Sequence, residues 1–217
     1  MILAIYCCGG HGKEVQFLAN RINEVESRWN EILFVDDNPN YFLIKNKVLT
    51  LEEIKAKYNS DECEFVIASG EPYVLKKLSN KVLDSNYRLT NLVAPDAIID
   101  SVLQTGQGYI IQKQVVIACD VKIGRSSCVN FSSILHHDVS IGNYCFIASR
   151  STICGNAVIN NGTYVGAGSI IRDEIMIGSN CIIGMGSVVT KDVPDNSVVY
   201  GNPAKVIKSN SNQRVFQ

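Results

Sequence analysis

An aliphatic residue recurs at every sixth position through most of the second half of the chain. Fourteen successive members of this series are Ile, Val or Leu: Ile111, Ile117, Ile123, Val129, Leu135, Ile141, Ile147, Ile153, Ile159, Val165, Ile171, Ile177, Ile183 and Val189. A small or β-branched residue, such as Ser133 or Thr163, stands two positions before most of them. A hexapeptide repeat of this length predicts a solenoid, because one short strand cannot bury its apolar side chain alone.

The period also indicates the cross-section of the solenoid. If each hexapeptide supplies one flat strand and one corner, three hexapeptides complete a triangular coil, and Ile117 stacks on Leu135. The 98 residues from Asp96 to Val193 contain no proline and only one Glu, but 11 of the 16 glycines. Proline would remove a ladder hydrogen bond from a strand. We therefore expect a continuous β segment without long loops between coils.

The first half alternates between strand and helix patterns. Strands are predicted over 2–8, 32–35, 65–68 and 88–93, and helices follow Gly12 and cover 51–58 and 73–83. This alternation favours a small parallel sheet with crossover helices. We predict two domains: residues 1–93 form a Rossmann-like nucleotide-sugar-binding domain, and residues 94–217 form the β-solenoid domain with a C-terminal tail.

Candidate binding residues cluster where the predicted strands of the first half end. Ligands of open parallel sheets bind at the carboxyl ends of strands, where His11, Asp36 and Gly70 fall. The Gly9-Gly10-His11-Gly12 loop lacks the G-x-G-x-x-G spacing of a dinucleotide site, so the loop taken alone favours a tight strand-to-helix turn. The carboxylates that close the second strand favour binding, because they can accept hydrogen bonds from a ribose or a base.

Charge and cysteine usage narrow the class of protein. Twenty Lys and Arg against 21 Asp and Glu leave no basic surplus for a nucleic-acid backbone, so no nucleic-acid partner is expected. The apolar start of the chain is too short to span a bilayer and is predicted to be a strand, not a signal peptide. The eight cysteines form no C-x-x-C pair. They predict buried thiols in a reducing cytoplasm, rather than disulfides or a zinc cluster.

Two of the three histidines lie together in the solenoid, in the triplet His136-His137-Asp138. The preceding Leu135 already fills the inward position, so both rings are expected to point outward. A solvated polar corner is the alternative, but adjacent histidines beside a carboxylate favour function. Imidazole, with an ordinary pKa of about 6.5, suits a general base, and a carboxylate can orient its ring.

The repeat resembles the left-handed parallel β-helix of hexapeptide acyltransferases. The whole chain resembles the PglD/NeuD group of bacterial sugar acetyltransferases, in the glycine loop, residues 34–37 and 67–70, the histidine triplet and residues 201–205. The resemblance implies acetyl transfer from acetyl-CoA to the 4-amino group of a dTDP- or UDP-linked 4-amino-4,6-dideoxyhexose. That reaction serves surface polysaccharide, O-antigen or glycan biosynthesis. It also implies a homotrimer with active sites between subunits.

The resemblance implies a role for each matching residue. His137 is the general base, Asp138 orients it, Asn130 is an active-site residue, and the Gly155 amide stabilises the oxyanion. The expected acceptor-binding residues are Gly10, His11, Gly12, Asp36, Asp37, Gly70 and His136. Those expected at acetyl-CoA are Phe146, Gly155, Ala167, Gly168, Gly186 and Lys205, and no metal is expected. Relatives usually carry Glu where this chain has Asp138, and some carry His where it has Phe146.

Three alternatives remain at this stage. A sialic acid or sugar O-acetyltransferase would use the same histidine on a hydroxyl group. A β-helical carbonic anhydrase would need three zinc-binding histidines, whereas only two, adjacent ones lie in the repeat. A non-catalytic scaffold would need neither a catalytic histidine nor a zinc site. An acyl-cysteine route through Cys145 or Cys154 is not expected, because packing explains both thiols, so direct attack on acetyl-CoA is predicted.

Overall fold

The computed structural model describes residues 1–38, 48–101 and 103–216. The sequence predicts an acidic turn over Asp36-Asp37-Asn38-Pro39, and Pro39 of that turn lies outside these ranges. The N-terminal part is a parallel sheet in the order β3-β2-β1-β4-β5. The strands are β1 (Ile2–Tyr6), β2 (Glu31–Val35), β3 (Val48–Leu49), β4 (Cys63–Ile67) and β5 (Arg88–Leu89). Paired registers join all four neighbouring pairs in parallel. The predicted Rossmann-like arrangement is confirmed.

Within the described residues, three helices connect these strands: α1 (Gly10–Glu26), α2 (Leu51–Lys57) and α3 (Pro72–Asp84). A capping box between Thr50 and Glu53 starts α2, and a proline in the first turn starts α3. The predicted first strand, 2–8, is two residues too long. It ends at Tyr6 because Cys7 has a φ of 79°, which no extended strand contains.

The predicted strand 88–93 is wrong as one element, because it divides between the two parts of the molecule. Arg88–Leu89 pairs with β4, whereas Leu92–Val93 pairs with Ile110–Ile111 and is the first strand of the solenoid. The division into residues 1–93 and 94–217 stays a prediction.

The solenoid is a left-handed parallel β-helix with three faces of short strands. The first face contains Leu92–Val93, Ile110–Ile111, Cys128–Val129, Phe146–Ile147, Tyr164–Val165, Ile182–Ile183, Ser197–Gly201 and Ala204–Ser209. The second contains Ile98–Ile99, Val116–Ile117, Ile134–Leu135, Thr152–Ile153, Ile170–Ile171 and Val188–Val189. The third contains Gln104–Thr105, Lys122–Ile123, Ser140–Ile141, Val158–Ile159 and Met176–Ile177.

The sixfold periodic residues form the core that the sequence predicts. None of the fourteen is more than 3% exposed, and Ile117, Leu135 and Ile153 pair in register, 18 residues apart. Five of the residues two positions before them are buried hydroxyls, each of which donates a hydrogen bond across the corner to a carbonyl 15 residues later: Ser127, Ser133, Ser151, Thr163 and Ser169. Ser127 reaches Gly142 at 2.7 Å, and Thr163 reaches Gly178 at 2.7 Å. These positions are small and polar because the corner contains a carbonyl that needs a donor.

The N-terminal part and the first face share one hydrophobic core. Leu18 of α1 packs in a cluster with Leu92, Ile110, Cys128 and Phe146. The junction between the two parts is therefore packed like a protein interior. Within the described ranges, no helix is long and apolar enough to cross a membrane.

All eight cysteines are free thiols, as expected, but they are not all buried. Five are buried, Cys7 and Cys154 are partly exposed, and Cys119 is exposed. The prediction of buried thiols is therefore wrong for Cys119. Burial raises the pKa of the Cys145 thiol to about 12, which leaves it protonated at neutral pH.

Candidate active site

Two corners of the solenoid carry most of the predicted site residues. The first-to-second corner consists of residues 130–133, 148–151, 166–169 and 184–187, and contains Asn130, Ala167, Gly168 and Gly186. The second-to-third corner consists of residues 136–139, 154–157 and 172–175, and contains His136, His137, Asp138 and Gly155. The second face lies between these corners.

The second-to-third corner holds a histidine and a carboxylate in contact. Nδ1 of His137 lies 2.9 Å from Oδ2 of Asp138, and both side chains are more than half exposed. Asp138 has a φ of 60°, and its amide donates to the carbonyl of Cys119 at 3.1 Å, which fixes the turn. If Nδ1–H donates to the carboxylate, Nε2 is the unprotonated nitrogen and can accept a proton. The shorter Asp138 thus reaches the ring directly.

Gly155 lies one coil beyond His137, against the ring. A Cβ built on Gly155 would lie 2.6 Å from both Cε1 and Nε2 of His137. In the part of the chain that the structure describes, no group accepts a hydrogen bond from the Gly155 amide. A free backbone donor thus adjoins the exposed imidazole, as an oxyanion site requires. His136 lies exposed beside this pair, and its amide donates to Ile153.

This close approach predicts that Gly155→Ala disables the site without unfolding the solenoid. The methyl group must displace the His137 ring, so kcat should fall by roughly 10²-fold, as expected for a misplaced catalytic group. Steady-state kinetics would measure it, with unchanged circular dichroism as the folding check. Cys119→Ala, an exposed substitution one coil before His137 at the same corner, is the control. A kcat within twofold of wild type would contradict the proposed contact.

The first-to-second corner presents an open surface. Gly168 and Gly186 each have a φ of 69° with no atom within 4 Å of a built Cβ, and Ala167 is exposed. Asn130 is 9% exposed, and its Oδ1 accepts a hydrogen bond from the Phe131 amide at 2.9 Å. The small residues therefore leave room for a ligand to approach the backbone.

The glycine loop forms a tight strand-to-helix turn and also borders open space. A Cβ on Gly12 would lie 2.2 Å from the Cys7 carbonyl, so this glycine is needed for the strand-to-helix turn. Gly9 and Gly10, in contrast, have nothing within 4 Å of a built Cβ. These two glycines border open space at the start of α1.

His11 and Gly70 meet the first face of the solenoid at Phe146. The rings of His11 and Phe146 pack edge to face with centroids 5.4 Å apart, and a Cβ on Gly70 would lie 3.9 Å from the Phe146 ring. His11 Nδ1 also lies 3.0 Å from Glu14 Oε2, and Nε2 lies 3.8 Å from Cys128 Sγ. His11, Gly70 and Phe146 thus meet at the junction of the two parts of the chain, next to the open space at Gly9 and Gly10, and the name cleft denotes this junction.

Asp36 and Asp37 have partners within the protein. Asp36 accepts hydrogen bonds from the amides of Cys8 at 3.2 Å and Asn38 at 3.0 Å. Asp37 accepts from the Tyr6 hydroxyl, Lys81 Nζ and the Leu51 amide. Burial alone would raise the pKa of Asp37, but these three donors lower it overall. Ligand binding by either carboxylate stays a prediction.

These contacts predict that Asp37→Asn destabilises the N-terminal part in a pH-dependent manner. Because the pKa of Asp37 is lowered in the folded state, its stabilisation is complete above the ordinary value of 3.8 and is lost as pH falls through the folded-state pKa. We expect a loss of about 1 kcal/mol at pH 7 that shrinks below about pH 4, modest because the group is partly solvent-screened. Urea titrations at both pH values would measure it, with exposed Asp61→Asn as control. Equal losses at both pH values would contradict the linkage.

The structure does not bring all predicted residues together in one chain. The His137 corner and the cleft at Phe146 are on opposite sides of the second face. Lys205 is exposed in the terminal hairpin, paired with Tyr200. Within one chain, the predicted site residues therefore lie in separate places.

Four residues at the cleft were missed from the sequence: Glu71, Tyr164, Arg214 and Phe216. Tyr164 stacks on Phe146, 18 positions earlier, with centroids 5.6 Å apart and an interplanar angle of 5°. The hexapeptide spacing could have identified this aromatic pair. The contacts of Glu71 with the C-terminal residues span more than 140 positions and follow no periodic pattern.

Comparisons with known proteins agree with this architecture. Residues 2–82 match the family model of the PglD N-terminal domain, and residues 156–191 match that of the bacterial transferase hexapeptide, six repeats. The acetyltransferase domain of PglB from Neisseria gonorrhoeae FA1090, solved with acetyl coenzyme A, is 25% identical, with a TM-score of 0.87 over 95% of this chain and 98% of that one. WeeI from Acinetobacter baumannii AYE is 28% identical, with a TM-score of 0.87 over 95% and 100%.

A third similar structure is PerB from Caulobacter crescentus, solved with CoA and GDP-perosamine. It is 24% identical, with a TM-score of 0.85 over 96% of this chain and 98% of that one, and bears on the fold alone. The repeat, the corner histidine and these matches define a hexapeptide-repeat acyltransferase. Within that class the chain is similar to proteins of the PglD/NeuD type, and it joins a match to the PglD N-terminal domain to a match to the hexapeptide repeats.

Proposed function

We propose that this protein transfers an acetyl group from acetyl-CoA to the 4-amino group of a dTDP- or UDP-linked 4-amino-4,6-dideoxyhexose. The observation that carries the proposal is the exposed His137–Asp138 pair, which lies against a free backbone amide at Gly155. The similar PglB domain, solved with acetyl coenzyme A, supports acetyl-CoA as the donor. Surface polysaccharide or O-antigen biosynthesis is the pathway class that such a product serves.

The first-to-second corner fits the donor. Gly168, Gly186 and Ala167 leave the space in which side chains would block an extended pantetheine arm. Lys205, exposed on the terminal hairpin, is proposed to contact the nucleotide end. Acetyl-CoA supplies an acetyl group activated as a thioester, and no metal is required for that activation.

His137 is proposed as the general base and, later, as the general acid. Its Nε2 accepts a proton from the attacking amine, while Asp138 accepts a hydrogen bond from Nδ1–H and stabilises the imidazolium. The new C–N bond replaces the C–S bond, and the proton on Nε2 passes to the departing thiolate. The Gly155 amide donates to the carbonyl oxygen as negative charge develops there.

The acceptor is proposed to bind in the cleft at His11. Gly10 and Gly12 bring the start of α1 close to the diphosphate, His11 and Gly70 border the sugar, and Asp36 and Asp37 lie at the strand end beyond. His136 and Asn130 would contact the sugar from the solenoid. Phe146 makes this end of the cleft apolar where relatives carry a histidine, so Gly155 is the main oxyanion donor.

Association through the second face would complete the site. This face exposes a column of apolar side chains, with Ile98 58%, Ile134 37% and Ile170 43% exposed. Burying such a column favours self-association. In a three-fold ring joined along this face, the second-to-third corner of one subunit meets the first-to-second corner of the next. We therefore propose a homotrimer in which His137 acts on acetyl-CoA held by the neighbouring subunit.

An acceptor panel tests the function. Purified protein is incubated with acetyl-CoA and dTDP-, UDP- or GDP-linked 4-amino sugars, or with sialic acid, and thiol release is measured with product mass. We expect release only with a 4-amino nucleotide sugar, and a mass gain of one acetyl group. Release with sialic acid alone would support an O-acetyltransferase instead, and stoichiometric zinc without acetyl transfer would support the carbonic anhydrase alternative.

A further inference from the structure

The last residues of the chain return to the N-terminal part and are held there by one buried carboxylate. Glu71 is 5% exposed and accepts hydrogen bonds from the amides of Val215 at 2.9 Å and Phe216 at 3.1 Å. Its Oε2 also lies 3.6 Å from Nε of Arg214. Glu71 precedes α3, but its side chain does not cap that helix. The carboxylate instead accepts hydrogen bonds from the C-terminal segment, which consists of residues 210–216.

The base of this segment is anchored as well. The Asn210 amide donates to the Asn196 carbonyl at 2.7 Å, and its side chain donates to the Asn180 carbonyl at 2.9 Å. Arg214 lies over the Tyr73 ring at 5.3 Å. Contacts at both ends therefore hold the segment across the gap between the solenoid and α3.

Phe216 extends the aromatic surface of the acceptor cleft. Its ring packs edge-on against Tyr164 with centroids 5.8 Å apart, and Tyr164 stacks on Phe146, which contacts His11. A Cβ on Gly70 would lie 3.7 Å from Cε2 of Phe216. The segment thus lies next to Gly70, and the ring of Phe216 joins a series of packed rings that leads through Tyr164 and Phe146 to His11.

Phe216 remains 58% exposed although its own amide and that of Val215 donate hydrogen bonds to Glu71. A large apolar ring held at that exposure gains free energy when a ligand covers it. The segment also lines a cavity of about 670 Å³, together with Met185 and Tyr200. Of the residues at the cleft, Tyr164 and Phe216 line this cavity, whereas His11, Gly70 and Phe146 do not. A volume of this size is typical of ligand sites.

From this geometry we infer that Phe216 is a specificity-determining residue that packs on the sugar of the acceptor, and that Glu71 is a positioning residue that places Phe216. The inference rests on the proposed function, because it assigns the acceptor to the cleft at His11. The occupant is the hexose of the nucleotide sugar, whose apolar ring face and C6 methyl group match an aromatic wall. The segment completes one side of the pocket that neither folded part forms alone.

Acceptor kinetics of Phe216→Ala test the inference, using the nucleotide sugar that the wild type acetylates. We expect the KM for the acceptor to rise roughly tenfold, while kcat and the KM for acetyl-CoA stay within about twofold. Met176→Ala is the control, since Met176 is a large apolar side chain, 53% exposed, on the third face away from the site. It should change none of these constants.

Variants of Glu71 test whether this residue positions Phe216 or only stabilises the fold. Glu71→Ala should raise the acceptor KM about as much as Phe216→Ala, and the double variant should add little, because both changes remove the same contact. Glu71→Gln keeps an oxygen that can accept from the Val215 amide, so it should restore part of the affinity. Thermal denaturation of each variant reports any loss of fold separately.

The possible results separate a failure of this inference from a failure of the proposed function. An acceptor KM for Phe216→Ala equal to that of wild type would overturn the role of Phe216. Additive effects in the double variant would overturn the role of Glu71, since independent residues add. Absence of turnover by the wild type with every nucleotide amino sugar would overturn the proposed function, and this inference with it.

Discussion

Replacing His137 with alanine is expected to reduce kcat by roughly 10²- to 10⁴-fold, the range typical of a lost general base. The imidazole is exposed, hydrogen-bonded to Asp138 and adjacent to a free amide, so no other described group at this corner can accept the proton as well. Acetyl-CoA binding should persist, because the donor groove is at the other corner. Stopped-flow or thiol-release kinetics at saturating substrates would measure the change.

Two matched variants make this result specific. His136→Ala should act mainly on the acceptor KM, since His136 lies beside the pair without joining it. Asp138→Asn should reduce kcat less than His137→Ala, because the ring keeps its nitrogen but loses a charged partner. If His137→Ala kept more than about a tenth of the wild-type kcat, the assignment of the base would be wrong.

The second large effect is the recovery of activity from two inactive proteins. His137→Ala lacks the base at the second-to-third corner, and Ala167→Trp should block the donor groove at the first-to-second corner. If each site joins these corners from different subunits, a mixed trimer contains one junction with both corners intact. Random equimolar mixing should restore about a quarter of wild-type activity, because roughly three in four trimers are mixed and one site in three works.

Co-expression with two affinity tags, followed by tandem purification, would isolate the mixed assemblies. The double variant His137→Ala with Ala167→Trp, mixed with wild type, controls for subunit exchange alone. Mixed assemblies that stay inactive would place both corners of a working site in the same chain. Monomeric protein with full activity would equally reject the inter-subunit site.

Periodic features of the sequence predicted the solenoid well, because its interactions are local and repeated. The inward column from Ile111 to Val189 is buried at each of the predicted positions, since every strand meets the same environment one coil away. The exposed placement of His137 followed from Leu135 occupying the core. The contact of Asp138 with the ring, in contrast, depends on a φ of 60° that the residue types only permit.

Contacts between side chains far apart in the sequence could not be predicted in this way. Asp36 and Asp37 looked like ligand-binding carboxylates, and only the fold reveals that Cys8, Tyr6 and Lys81 supply partners for them. Glu71 could not be identified from the sequence, because a single carboxylate before a helix is common. Its partners at the C-terminus come close only after the chain has wound through every coil.

The triangular winding has a consequence for how such a chain can change in length. Strands in register are 18 residues apart, as Val116, Ile134 and Thr152 are on the second face. Removing a whole coil would shorten the prism but leave every later residue on its own edge. Removing one hexapeptide between Asn130 and Ala167 would keep the core filled but rotate every later residue by a third of a turn about the solenoid axis. Ala167 and Gly168 would then lie on a different edge from Asn130. The core alone would therefore tolerate the gain or loss of a single hexapeptide. The site residues, in contrast, stay on their edges only when the length changes by whole coils.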